Sequence, residues 1–244
     1  MEWVPDESTP VGHDNPGMID DDSADAVIRL IETGRDREAA RRGVQTLREV
    51  DPLPLPEGET MDPLDQLGQL TPLLTEVVAG IRRDQLDDPT PCTDFTVRGV
   101  LEHMIGGATM FAAAYRGRTP QPPDLDDVLD RFDPALQDLG AALNSPGALR
   151  TTIDTPFGAM AGEHFARYIV LDGLMHGWDM ANATGQSYEP PAALVAAADS
   201  YARETLEAMR DGSAFGAAVD PAPDAAPIER LAAYTGRRPV RVVR

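Results

Sequence analysis

Three residues in two separate stretches of the chain have side chains that suit a divalent metal ion: His103, Asp172 and His176. Asp172 and His176 are spaced i and i+4, so on a helix their side chains lie on the same face, one turn apart. His103, on a neighbouring helix, would supply a third ligand. Two imidazoles and one carboxylate suit a borderline cation such as zinc, and three protein ligands leave positions open for water or substrate. The sequence therefore predicts a metal site made of these three residues.

Each of these residues also has an ordinary interpretation. A single histidine is more often a packed or surface residue, and Gly106 and Gly107 after His103 suit close helix packing as well as space beside a metal. The pattern formed by Asp172 and His176 is common by chance and fits a helix face turned to solvent. Its neighbours are apolar, however, and a carboxylate within such a segment is costly to bury unless it is paired or coordinated.

Three further polar residues are candidates for supporting roles. Asp179 follows His176 by one turn and would orient its imidazole, cap a helix or form a surface ion pair. His164 lies two turns before Asp172 and would line the site or donate a proton, although an exposed residue near a helix start is the simpler interpretation. No obvious base stands beside Cys92, which is interpreted as structural. Catalytic and cofactor-binding residues therefore stay unassigned.

Composition excludes several classes of function. The chain has 244 residues, of which 42% are hydrophobic and 25% charged, as is usual for globular proteins. A net charge of −20 repels phosphate backbones and anionic lipids, so neither nucleic acid nor a membrane is expected as a partner. No lysine is present, which excludes Schiff-base chemistry. A single cysteine and a start without signal-peptide features indicate the cytoplasm.

The order of polar and apolar segments predicts three regions. Residues 1–60 form an acidic, partly disordered extension with one or two short helices between 23 and 50, and Met61 is a candidate natural start. Residues 61–211 hold four long amphipathic segments, with a bend or restart of the helix expected at Pro72, an interruption at Pro134, and an extended or irregular crossover over 146–160. Residues 212–244 form a tail with a short docked helix. The fold expected is an all-α antiparallel four-helix bundle with extra terminal helices.

Three motifs in this order, TPCTDFTVRGVLEHMIGG, DGLMHGWDMANATG and APIERLAAYTGRRP, resemble actinobacterial proteins of the mycothiol-dependent maleylpyruvate isomerase type, in the DinB-like superfamily. The resemblance covers residues 62–239 and implies a DinB-like bundle with a divalent metal, usually zinc, on His103, Asp172 and His176. Asp172 stands where the isomerase has Glu, and Asn182 stands where many relatives carry Arg. The isomerase's separate C-terminal domain is not evident after residue 211.

The resemblance implies an enzyme that uses zinc and a low-molecular-weight thiol, mycothiol, as a transferase or isomerase acting on a small electrophile. Its partners would be these small molecules, and the chain would be a monomer or a homodimer. An alternative is a non-catalytic metal-binding regulatory module whose acidic N-terminal helices bind a partner. A third possibility is a structural bundle without a metal. The sequence does not name the substrate or the metal that is loaded.

Overall fold

The computed structural model describes residues 61–155, 158–209 and 215–240. The extension predicted over 1–60, with its short helices, lies outside the described residues. Six α-helices and one two-stranded sheet make up the described ranges: α1 Pro63–Ala79, α2 Val97–Tyr115, α3 Val128–Leu143, β1 Thr152–Thr155, β2 Gly158–Ala161, α4 Gly162–Thr184, α5 Ala192–Met209 and α6 Pro227–Tyr234. Short 3₁₀ turns cover Arg83–Gln85 and Ala148–Arg150. The predicted all-α helical bundle is therefore confirmed.

The helix ends carry ordinary capping residues. The Asp62 carboxylate accepts a hydrogen bond from the Leu64 N–H at 2.8 Å at the start of α1, and the Thr96 hydroxyl accepts one from the Gly99 N–H at 3.2 Å at the start of α2. These bonds satisfy amide groups that have no partner within the helix. Helix α4 ends at Gly185, which adopts the left-handed conformation with φ +71°.

The interruption predicted at Pro134 is wrong, and Pro72 does not restart its helix. Pro72 lies within α1 and Pro134 within α3, and each helix continues through its proline. Both prolines are exposed to solvent, so water can satisfy the carbonyl group that each ring leaves without a donor.

The predicted crossover contains a small antiparallel hairpin. In its register Thr152 faces Ala161 and Thr155 faces Gly158. Ile153 is buried against the bundle, so one face of the hairpin closes the end of the helical core between α3 and α4.

Helices α2 and α4 run in opposite directions. The rings of Phe111 and Phe165 lie edge to face with centroids 4.8 Å apart, and the Tyr115 hydroxyl donates to the Gly162 carbonyl at 2.6 Å. Residue numbers therefore rise along α2 as they fall along α4. This arrangement places residues that precede Phe111 level with residues that follow Phe165.

Helix α1 runs parallel to α4 and antiparallel to α3. Gly173 faces Leu70 and Gly177 faces Leu74, so numbers rise together along α1 and α4. On the other side Arg83 pairs with Asp127 at 2.7 Å, and the Thr75 hydroxyl donates to Asp133 at 2.9 Å. The directions of the four bundle helices are up, down, down and up, which the long connections on either side of α3 make possible.

Helix α4 forms the centre of the core. From Phe165 to Ala181 each of its residues is buried except Asp172. A helix that is apolar on every side belongs in the interior, where it packs against other helices all round. Helices α5 and α6 cover the side of α4 that the bundle leaves open, with Leu206 and Leu231 fully buried there. None of the helices in the described ranges is both long and apolar enough to cross a lipid bilayer.

Gly162, at the start of α4, provides a test of this packing. A Cβ atom added there would lie 2.4 Å from the Ala148 carbonyl oxygen and 3.0 Å from that of Thr151, both of which are backbone atoms. We expect Gly162→Ala to lower the free energy of unfolding by about 2 kcal/mol or more, as overpacking against rigid backbone does. Urea titration of the purified variant measures this change.

The control for this prediction is Gly68→Ala. Gly68 is an exposed helical glycine with no atom within 4 Å of an added Cβ, so alanine there should stabilise the protein by up to about 1 kcal/mol through helix propensity. Equal stability of the two variants would contradict the packing described for the start of α4.

Candidate metal centre

The structure brings His103, Asp172 and His176 together on the contact between α2 and α4. His103 Nε2 lies 3.5 Å from Asp172 Oδ2, and His176 Nε2 lies 3.5 Å from Asp172 Oδ1. The two imidazole centroids are 4.7 Å apart. One potential ligand atom of each residue lies within 4.8 Å of those of the other two. The antiparallel direction of the helices produces this meeting, because it sets His103 opposite the turn of α4 that carries Asp172 and His176.

These distances fit a small divalent cation. In a tetrahedral site with bonds of about 2.0–2.2 Å, neighbouring ligand atoms lie about 3.3–3.6 Å apart. Each imidazole Nε2 lies at about that separation from one oxygen of Asp172, His103 from Oδ2 and His176 from Oδ1. The side chains of Asp172 and His103 are 20% and 12% exposed, whereas that of His176 is 5% exposed. A cation held there would therefore be reachable from solvent on the side of Asp172 and His103.

An aromatic ring from the loop before α2 covers part of this triad. The Phe95 ring centroid lies 5.4 Å from that of His103 and 6.1 Å from that of His176. Gly99 allows this approach, since a Cβ atom there would lie 3.0 Å from Phe95 Cδ1. The ring replaces water beside both imidazoles. Sequence reasoning assigned no role to Phe95, and its place next to the capping residue Thr96 was the only available signal.

A buried ion pair contacts the triad through His176. His176 Nδ1 lies 3.1 Å from Asp179 Oδ2, and Arg237 Nε donates to both oxygens of Asp179 at 3.0 Å. Asp179 is fully buried. The hydrogen bond leaves Nε2 of His176 directed toward Asp172 and fixes the orientation of the ring. Of the three roles considered for Asp179, the structure shows the orienting one.

Arg237 belongs to the C-terminal segment, which sequence reasoning treated as a tail with a docked helix. Its guanidinium also donates to the Thr235 hydroxyl at 3.1 Å, and the Val240 N–H donates to the Asn182 side chain at 2.9 Å. Burial lowers the pKa of Arg237, but the charge of Asp179 and its hydrogen bond, together with the charges of Cys92 and Asp172, raise the pKa overall. The segment after α6 is thus attached to α4 at Asp179 and at Asn182. Arg237 lies within the motif APIERLAAYTGRRP, but the sequence assigned it no role.

The carboxylate of Asp172 stays ionised in this setting. Burial raises the pKa of Asp172, but the charges of His176 and His103, the hydrogen bond from His103 and the charge of Arg237 together lower it to about 2. An ionised carboxylate is the form that binds a cation.

Cys92 lies closer to the triad than the sequence indicated. Its sulfur, a nitrogen of His176 and an oxygen of Asp179 lie within 4.8 Å of one another, so a base does stand beside it. Burial, with smaller effects from nearby charges, raises the pKa of the Cys92 thiol to about 11. Arg237 occupies both oxygens of Asp179, and a guanidinium repels a cation. This second group is therefore less suited to a metal than His103, Asp172 and His176.

His164 takes no part in the triad. It is half-buried, not exposed as the simpler interpretation held, and its Nε2 lies 3.2 Å from the Tyr201 hydroxyl on α5. Burial lowers its pKa, as does the charge of Arg167. Its place two turns before Asp172, toward the start of α4, makes it a structural contact between α4 and α5.

The bundle and the triad define a helical protein with a candidate metal site between two antiparallel helices. Residues 67–181 match the family model described as the mycothiol maleylpyruvate isomerase N-terminal domain, a range that includes His103, Asp172 and His176. Uncharacterized proteins from two strains of Mycobacterium tuberculosis are each 30% identical over 180 residues, or 72% of this chain and 98% of the relative. The chain belongs to this family, as its motifs predicted. No solved structure matches it significantly.

The buried pair of Arg237 and Asp179 generates a prediction about stability. Arg237→Ala leaves the fully buried Asp179 carboxylate without its cation, and breaking such a pair costs about 3–5 kcal/mol. We expect the free energy of unfolding of the metal-free protein to fall by that amount in a urea titration. The neighbouring exposed residue provides the control, Arg238→Ala, which should change stability by less than about 0.5 kcal/mol. Similar losses in both variants would contradict the attachment of the C-terminal segment to α4.

The raised pKa of Cys92 generates a prediction about reactivity. The folded, metal-free protein holds the thiol protonated at neutral pH, so alkylation by iodoacetamide should be slow and should still be rising at about pH 10, because the pKa is about 11. In the urea-unfolded chain the rate should level off above about pH 9, since an ordinary thiol has a pKa of about 8.5. Mass spectrometry of this single cysteine measures both rates. A plateau below about pH 9 in the folded protein would contradict the burial of the sulfur.

Proposed function

We propose that this protein is a zinc-dependent enzyme that joins the thiol of mycothiol to a small electrophile, as a transferase or isomerase. The observation that carries the proposal is the meeting of His103, Asp172 and His176 ligand atoms within 4.8 Å on the exposed side of the α2–α4 contact. The family to which the chain belongs is named after a mycothiol maleylpyruvate isomerase. This name supports mycothiol as the thiol.

The residues of the chain hold and orient the ion. His103 would bind through Nε2, Asp172 through its ionised carboxylate and His176 through Nε2, whose direction is fixed by the hydrogen bond between Nδ1 and Asp179. A zinc ion bound there would lower the pKa of a coordinating thiol, so that the sulfur is deprotonated near neutral pH. Three protein ligands leave a position for that sulfur.

The reaction that follows is nucleophilic addition. The sulfur of the thiol forms a bond to an electrophilic alkene carbon of the substrate, the carbon–carbon π bond breaks to give an enolate, and the thiol proton goes to solvent. Protonation of the enolate carbon and release of the adduct is transfer. Rotation about the former double bond in the enolate, followed by re-formation of that double bond and expulsion of the thiolate, gives an isomer. The protein's contribution is to position both reactants beside each other and to exclude water with Phe95.

Metal binding and thiol binding can be measured separately. We expect purified protein to bind close to one zinc per chain, and the cobalt-substituted protein to develop sulfur-to-cobalt charge-transfer absorption when mycothiol is added. His103→Ala and His176→Ala should each reduce metal content to below about one tenth of wild type, because two remaining ligands do not hold the ion. Elemental analysis and absorption spectroscopy provide the readouts.

His164→Ala is the matched control, since this histidine lies on the same helix as His176 but pairs with Tyr201, and it should retain the metal. Negligible metal in the wild type would overturn the proposal. Stoichiometric metal without any thiol adduct across a range of enones and epoxides would overturn the catalytic part and favour a non-catalytic metal-binding module.

A further inference from the structure

A cavity of about 50 Å³, partly open to solvent, lies between α1, α2, α3 and α4. Asp172 forms part of its wall and is also the carboxylate of the triad. The cavity is therefore directly adjacent to the candidate metal position. Its other lining residues are almost entirely apolar and include Leu70 from α1, Met104 and Phe111 from α2, and Leu139 from α3.

The contact of α2 and α4 contributes the part of the lining next to the triad. On α2 the residue one turn after His103 is Gly107, and on α4 the residue next to Asp172 is Gly173; both line the cavity. Phe111, one turn after Gly107, also lines the cavity, and its ring packs against that of Phe165 at 4.8 Å. The cavity therefore begins at Asp172 and continues along α2 toward Phe111.

The lining is unsuited to an anionic group. None of the residues that line the cavity is a cation, and the only polar groups are Asp172 and the Thr71 hydroxyl. That hydroxyl already donates to the Leu67 carbonyl at 2.8 Å. A carboxylate placed in the cavity would lose its hydration without gaining a donor, which costs several kcal/mol. A hydrocarbon group would lose only its contact with water, which is favourable.

The size of the cavity limits the group that fits. One water-sized sphere needs on the order of 10–15 Å³, so the space holds roughly four such spheres, comparable to a branched group of about four carbon atoms. The Met104 side chain in the wall is flexible and allows modest adjustment.

We propose that this cavity binds an uncharged, compact hydrocarbon group of the electrophile, and that the enzyme therefore acts on neutral electrophiles with a short apolar chain and discriminates against carboxylate-bearing ones. The inference rests on the proposed function for the reaction at the triad. It differs from what the family's description suggests, because maleylpyruvate carries two carboxyl groups.

The cavity itself is tested first, without metal or reaction. Xenon is an apolar probe that enters dry cavities, and its binding to the metal-free protein can be followed by NMR shifts of the Leu70 and Met104 methyl groups. Ala108→Leu adds side-chain atoms at a buried residue that lines the cavity and should weaken xenon binding at least about tenfold. Ala113→Leu, on the same helix but outside the cavity, should leave xenon binding unchanged.

The substrate class is tested with a matched pair of probes in the zinc-loaded protein with mycothiol. A neutral enone bearing an isobutyl group should be turned over with kcat/KM at least about a hundredfold above that of the same enone bearing a carboxylate in place of that group. Ala108→Leu should lower kcat/KM for the isobutyl enone at least about tenfold with unchanged zinc content. Gly140→Leu fills the cavity from α3, where an added Cβ meets no atom within 4 Å, and should act in the same way if Ala108→Leu does not fold.

The outcomes separate the two proposals. Zinc binding and turnover that favours the carboxylate enone would overturn the inference and leave the proposed function intact, as would absence of xenon binding to the wild type. Xenon binding with no metal and no turnover would overturn the proposed function and, with it, the substrate class inferred here.

Discussion

The buried pair of Asp179 and Arg237 is the interaction on which the arrangement of the site depends. A carboxylate with no exposed surface is tolerated only with a cation and full hydrogen bonding, and Arg237 donates to both of its oxygens. Asp179 can then orient His176 through Nδ1. One ion pair thus attaches the segment after α6 to the central helix and directs Nε2 of His176 toward Asp172. The stability of the fold and the geometry of the candidate site are coupled here, because both depend on the Asp179 carboxylate that Arg237 and His176 share.

Neighbouring groups also set the protonation state of Asp172 in the triad. Burial alone raises the pKa of Asp172, and only the neighbouring imidazoles and Arg237 bring it down to about 2. The ionised carboxylate therefore contributes to stability above the pKa of an unfolded aspartate, and this contribution is lost as the pH falls toward about 2. The Cys92 thiol experiences the opposite effect, since burial dominates and keeps it neutral. Asp172 and Cys92, which both lie near His176, thus stay in different protonation states.

The helices and the placement of Asp172 beside His176 follow from local spacing in the sequence, whereas the meeting of His103 with that pair depends on how two helices pack. Apolar periodicity located the bundle helices, and the i, i+4 spacing placed Asp172 and His176 on one face. The features that the sequence could not predict depend on contacts between residues that are far apart in the chain. Arg237 joins Asp179 from 58 positions away, and Cys92 meets His176 only after the loop before α2 folds over the bundle. Pro72 and Pro134 were expected to bend or interrupt helices because sequence alone does not reveal which carbonyls remain accessible to water.

The identity of the acidic ligand connects the triad to the cavity. Asp172 stands where the family resemblance leads one to expect Glu, and an aspartate is one methylene shorter. An ion bound by the shorter side chain would lie closer to the axis of α4. A longer carboxylate in the same place would extend into the cavity, since Asp172 is itself part of the cavity wall. The aspartate is therefore consistent with the proposed substrate class, because it leaves open an apolar space that a glutamate would partly fill.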